Sequence, residues 1–247
     1  MLRTTRGFFH TKYWNRHGRQ GFWWPHPEAR ERVYAVNYSE KDLNIAVHVR
    51  RGDFFSERKR KMLKDSTYAK IIADVLDMVE EESGPFSRVR PVVHIYSEGR
   101  KVYQGGFLHD TSHMDRLYYD ENGIPHTEDH WRKLLDRYAK HLSGHRWPSK
   151  VEVVMHISGD TLTDLHNMIT ADIFVGSESA MSVGLVRSLS RGVTVLPGFP
   201  DHDDYECCST RFSSNEGILY SRGQFLRKWR AYEAANGASL LRSLGEI

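Results

Sequence analysis

Five short runs of apolar, largely β-branched residues, separated by stretches with helical spacing, constrain this chain more than any other feature. They are residues 43–49 (Leu43-Asn-Ile-Ala-Val-His-Val49), 91–97 (Pro91-Val-Val-His-Ile-Tyr-Ser97), 151–157, 172–175 and 193–196. Each is of strand length, and the apolar residues are near-continuous, as expected of strands covered on both faces. Between the first two, residues 67–82 carry Ile71, Ile72, Val75, Leu76 and Val79 on one helical face and stop at Ser83-Gly84-Pro85. A second helix is expected over 128–142 with Trp131, Leu134, Leu135 and Tyr138 inward. Others are expected over 161–170 and 179–190, and one or two over 223–244. The stretch between 98 and 127 reads as irregular. Strands alternating with helices predict an α/β fold, a Rossmann-like parallel sheet flanked by helices. Such sheets hold ligands at the carboxyl ends of their strands, near the point where strand order reverses.

Composition narrows the class. At 247 residues, 39% hydrophobic and 27% charged, the chain is globular with a lean core, which excludes collagen, coiled coil and wholesale disorder. A formal charge of +3 argues against a dedicated nucleic-acid binder. The two cysteines, Cys207 and Cys208, are adjacent, a poor arrangement for a structural disulfide and too few for a zinc site. No apolar run approaches the ~18 residues of a membrane span. The segment up to Arg19 is basic and aromatic, without the apolar stretch of a signal peptide. It opens an arm over residues 1–42, in which Arg3, Arg6, Lys12, Arg16 and Arg19 alternate with aromatics such as Trp14, Trp23 and Trp24. RNA, an anionic surface or the chain's own core are all partners such an arm would fit. Residues 43–247 form the expected α/β domain.

The polar clusters follow the predicted strands. His48-Val-Arg-Arg-Gly-Asp53 ends the first with two arginines, Arg50 and Arg51. An arginine fork matches phosphate oxygens two at a time and stabilises a diphosphate as leaving group, where a solvated charged loop is the plain alternative. Gly176-Ser-Glu-Ser-Ala-Met-Ser182 opens a predicted helix, where Ser177 and Ser179 either cap it or leave its N–H groups to an anion. Asp160, Asp164 and His166 stand at the start of another helix, where capping and dipole compensation suffice to explain the carboxylates.

Together these segments resemble a family. His48-Val-Arg-Arg-Gly-Asp53 is similar to the His-x-Arg-Arg-x-Asp signature of the α1,2-, α1,6- and protein O-fucosyltransferases. Asp164, the run from Ala171 to Ser179 and Ser182 resemble their C-terminal motif, and His94-Ile-Tyr-Ser-Glu98 the strand between. The resemblance spans roughly residues 44–197 and implies the C-terminal, donor-binding half of a GT-B glycosyltransferase. It implies GDP-fucose as donor, a glycan or glycoprotein as acceptor, inversion without a metal ion or other cofactor, and the Golgi lumen as setting. By the same resemblance Arg50 binds the β-phosphate, His48 and Asp164 hold the nucleotide, and Ser179 touches phosphate. Arg51, His166 and Ser177 complete the expected nucleotide site. Position 58, where the α1,6 branch has a glutamate base, is Arg58, so Asp53 and Glu57 are the remaining base candidates beside Arg50 among the catalytic residues. Ala180 and Met181 also depart from the family pattern. The arm is then a remnant of the acceptor domain, with Trp23 and Trp24 as acceptor-site candidates. Because the arm is short for that domain, a nucleotide- or glycan-binding module without turnover is the alternative.

Two competing signals are weaker. Arg16-His17-Gly18 matches the core of a histidine-phosphatase motif but follows no apolar strand. Asp201-His-Asp-Asp-Tyr-Glu-Cys-Cys208 mixes oxygen, nitrogen and sulfur donors and reads as a solvated loop.

Overall fold

Alternation along β1 (Asp42–His48) sets the layering of the molecule. Leu43, Ile45 and Val47, with Val49 just beyond, enter one apolar cluster, while Ala46 enters another and shares its face with Asn44 and His48. The computed structural model describes residues 38–51, 63–82, 84–99, 117–139, 151–177, 179, 181–190, 192–196 and 222–245. After β1 come β2 (Arg90–Ser97), a small hairpin of β3 (Tyr118–Tyr119) and β4 (Pro125–His126), then β5 (Glu152–Ile157), β6 (Ile173–Val175) and β7 (Val193–Val195). Five of these form one sheet of order β5-β2-β1-β6-β7, with every pairing parallel. Counted by their place in the sheet, the strands run 3-2-1-4-5, an order compatible with a Rossmann-like fold. The order reverses between β1 and β6.

Helices cover both faces. α1 (Asp65–Glu81), α2 (Glu128–Ala139) and α5 (Arg222–Leu244) lie on the Ile45 face, and α3 (Thr161–Thr170) on the Ala46 face. A π-helix over Met181–Val186, running into the single turn α4 (Arg187–Leu189), completes the second face. The apolar stripe of α1 is buried as the spacing predicts, from Ile71 to Val79. Each such side chain is worth ~1.5–3 kcal/mol on burial, so packing rather than propensity holds this helix. On α5 the inward positions Phe225, Trp229, Tyr232 and Leu240 keep helical spacing, and Phe86 meets Trp229 edge-on at 5.3 Å.

Several boundaries differ from the sequence reading. α1 starts at Asp65 rather than Thr67, and Lys64 leads in without a side-chain cap. Residues 223–244, read as one helix or two, belong to a single helix. Part of the stretch read as irregular is the β3–β4 hairpin. Of the arm, residues 1–37 lie outside the described residues, but Tyr38 belongs to the α/β unit: its hydroxyl bonds Tyr96 (3.0 Å) and its ring rests on His94 (4.4 Å). No helix among the described residues is long and apolar enough to cross a membrane.

Candidate functional site

The reversal of strand order opens a cleft of about 490 Å³ at the carboxyl ends of the strands. It is lined at the switch point by His48 at the end of β1 and Arg50 beyond it, with Ser179 and Met181 after β6. Asp160 and Asp164 at the start of α3 also line it, and Glu98 after β2 stands beside the β1 end, its carboxylate accepting the Arg51 N–H (3.1 Å). Ser97, Ser158 and Gly159 form the floor between the strand ends. The lining therefore combines a guanidinium and O–H donors with carboxyl groups. A ligand with an anionic part and a part rich in N–H or O–H groups is complementary to this lining.

Backbone direction explains why two neighbouring arginines separate. Val49 N–H still bonds the Tyr96 carbonyl (2.8 Å), so the chain stays extended past β1 and successive side chains point to opposite faces. Arg50 turns into the cleft. Arg51 turns under α1 and is only 1% exposed. It donates to the carbonyls of Tyr119 (3.2 Å), Arg50 (3.2 Å) and Leu63 (2.9 Å), and to the Asp65 carboxylate (2.5 Å). Asp65 also accepts from the Tyr118 hydroxyl (2.5 Å) and pairs with His130 (3.0 Å). Arg51, expected at the nucleotide, instead ties the β1 loop to α1 and the hairpin.

His48 is fixed from behind. Its Nδ1 meets the Ser182 hydroxyl at 2.6 Å and the Ser177 hydroxyl at 3.0 Å. Burial, foremost, pushes its pKa down to about 4, opposed by Glu98 and assisted by Arg50, so the ring is neutral at physiological pH. Gly176 permits this packing, since a Cβ there would fall 2.3 Å from the Leu196 side chain and 3.2 Å from the Ser182 Cβ. Ser179 accepts the Met181 N–H (3.2 Å), so it caps the turn while lining the cleft.

Asp160 is the N-cap of α3, accepting from Thr163 N–H and hydroxyl at 2.9 Å each. Burial and the Asp160 charge push Asp164 up to about 7, so this carboxyl exchanges a proton near neutrality. Gly159 lies against it, with room for no Cβ: the nearest carboxylate oxygen would be 2.7 Å away. Ser158 has a left-handed backbone (φ 52°), a strained conformation for a non-glycine residue. Its hydroxyl accepts Gly99 N–H (2.8 Å) and its own N–H bonds the Ser97 carbonyl (3.1 Å), holding the β2 and β5 ends together.

The structure therefore brings His48, Arg50, Asp164 and Ser179 to one cleft, with Ser177 directly behind His48. It does not bring Arg51 or His166 there. His166 is fully buried, because two helical residues beyond Asp164 lies about 200° around α3. Asp53, Glu57, Trp23, Trp24, the Arg16-His17-Gly18 motif and the Asp201–Cys208 segment lie outside the described residues. Ser182, Glu98 and Ser158 were unassigned by the sequence reading, although Glu98 and Ser158 each directly follow a strand. Among the described residues, no three of His, Cys, Asp and Glu converge on a possible metal position. No family model matches this chain, nor does any curated protein or solved structure.

Proposed function

We propose that this chain binds GDP-fucose in the cleft and transfers fucose to a glycan or glycoprotein acceptor, as the donor-binding half of a GT-B-type glycosyltransferase. What carries the reading is one juxtaposition: Arg50 of the His-x-Arg-Arg-x-Asp motif faces the same cleft as Asp164 and Ser179 at the strand-order reversal. A guanidinium there would stabilise the diphosphate that departs as fucose inverts at its anomeric carbon. A preorganised donor of that kind is worth roughly 10²–10³ in rate. Positive charge from Arg50 would take the place of a metal ion. The carboxyl groups of Asp160 and Asp164 would suit the N–H edge of a guanine. Asp53 and Glu57 remain the candidates for the base that takes the acceptor hydroxyl proton.

The test is a thermal-shift panel of GDP, GDP-fucose, GDP-mannose and UDP-sugars, followed by transfer to a glycan array with and without EDTA. A ligand at about 100 times its Kd stabilises by ~2.7 kcal/mol, a shift of several degrees for a chain of this size. Guanine nucleotides should stabilise selectively, and transfer should survive chelation. A flat panel would remove the proposal. Binding without transfer would leave a nucleotide-binding module. Loss on EDTA, restored by Mg²⁺ or Mn²⁺, would overturn the metal-free step and direct attention to Asp201–Cys208.

A further inference from the structure

Ser177, Ser182 and His48 form a buried hydroxyl–imidazole cluster directly behind the cleft, being 2%, 0% and 3% exposed. A serine–histidine contact invites a nucleophile-and-base reading. Here the chemistry runs the other way. Both hydroxyls are buried on the Nδ1 side, and neither serine lines the cleft. A neutral histidine that resists protonation down to about pH 4 is also a poor general base near neutrality.

The proton positions follow from donor counting. The Ser182 Oγ already accepts the Ser177 N–H (3.2 Å). Were Nδ1 protonated, it would donate to Ser182 or to Ser177 (3.0 Å), and in either case the Ser182 hydroxyl proton would be left with Ser177 Oγ at 3.4 Å. With the hydroxyl donating to Nδ1 instead, both its proton and its lone pair are used. The 2.6 Å separation suits an O–H donor better than a ring N–H, whose bonds to oxygen centre near 2.9–3.0 Å. An accepting Nδ1 on a neutral ring leaves the proton on Nε2. Ser182 lies in the π-helix, and such turns recur at functional sites.

We infer that Ser182 is a positioning residue that locks His48 in its Nε2–H form, so that the ring presents a neutral N–H donor to a phosphate oxygen in the cleft beside Arg50. The ligand identity rests on the function proposed above, but the tautomer does not. A neutral donor binds an oxyanion without adding a second charge that would have to be desolvated next to Arg50. It also cannot return a proton to the leaving group during the reaction, so its contribution is binding and orientation.

The experiment is long-range ¹H–¹⁵N NMR of the histidine rings in the full chain, alone and with GDP or inorganic pyrophosphate. The wild type should show His48 as the Nε2–H tautomer between pH 6 and 8. Ser182→Ala should give a tautomer mixture and about threefold to tenfold weaker GDP binding, and Ser182→Thr should restore both. Ser177→Ala should keep the Nε2–H form. An Nδ1–H ring in the wild type would overturn the inference without any variant, so a Ser182→Ala chain that fails to fold does not protect it. An unchanged tautomer in a folded Ser182→Ala chain, or a switch caused by Ser177→Ala, would overturn it equally. Adding ligand should shift the Nε2–H resonance. A shift with pyrophosphate but not GDP would sink the guanine-nucleotide reading and keep this one, and a shift with neither would overturn the oxyanion role.

Discussion

Arg50 and Arg51 are chemically identical and sequential, yet the strand geometry gives them separate work. Arg50 lines the cleft, whereas Arg51 is sealed beneath α1 in an ion pair with Asp65. Breaking a buried pair by removing one member leaves the other charge uncompensated, at ~3–5 kcal/mol. Arg51→Ala should therefore lower the denaturant midpoint sharply, in urea titrations where Arg50→Ala stays close to wild type. Calorimetric GDP affinity should show the converse. Arg50→Ala should lose about 2 kcal/mol or more, the scale of a truncated charge-assisted pair, and Arg50→Lys should not rescue it because a point charge lacks the fork. An Arg50 variant with wild-type affinity would refute its role at the phosphate.

At the scale of elements, the β3–β4 hairpin is small but well specified. Asp120 Oδ1 accepts the N–H groups of Asn122 (2.8 Å) and Ile124 (2.9 Å), and Asp120 N–H bonds the Ile124 carbonyl (3.0 Å). Gly123 supplies the left-handed residue, φ 77°. The dipeptide Asn122-Gly123 is among the strongest short-range hairpin signals, and it was the cue by which the stretch read as irregular could have been recognised. Because the hairpin delivers Tyr118 to Asp65 and the Tyr119 carbonyl to Arg51, its turn bears on the β1 loop. Gly123→Ala should destabilise the chain by ~1–2 kcal/mol, the penalty of a left-handed alanine, with GDP affinity unchanged. Differential scanning calorimetry checks the first expectation and titration calorimetry the second; an unchanged Tm would mean that the turn is not held in this conformation.

For the whole molecule, buried titratable groups shape the response to pH: His48 and His94 on the sheet, Asp164 on α3, and Asp74 on α1, which burial pushes up to about 6. His48, and His94 on β2, are held down to about 4 and about 3, burial being the main cause in each and His156 adding to it for His94. Unfolded histidines take up protons below about pH 6.5 while these do not, so their contribution to stability is lost as pH falls from there towards 4. Asp164 acts with the opposite sign. Its folded pKa of about 7 lies above the unfolded value of 3.8, so the folded chain holds the extra proton between them and loses stability as pH rises through 7. Between pH 4.5 and 6 the two effects oppose. Asp164→Asn should steepen the rise of stability with pH in that window by up to one proton, and should stabilise the chain at pH 8 relative to wild type. Urea midpoints at pH 4.5, 5.5, 6.5 and 8 measure this. Parallel profiles for the two proteins would show that Asp164 titrates normally.

The five strand runs, the apolar stripes of α1 and α2 and the α/β class were legible in the chain itself. Each is a local periodicity, set by which side chains must leave water along one strand or one helix turn. The run from His48 to Arg51 likewise pointed to the candidate cleft, because residues directly after a buried central strand come out at the carboxyl end of the sheet. What each motif residue does was not local. Arg51 turned from ligand candidate to internal tie only because β1 stays extended one residue further and Asp65 of α1 stands beneath it. Ser182 met His48 across 134 positions of chain through the parallel pairing of β1 with β6 and a π-turn that no spacing rule forecasts. Strand order, too, is a choice among pairings of similar local quality. It is set only by the tertiary pairing, and with it the place of the cleft.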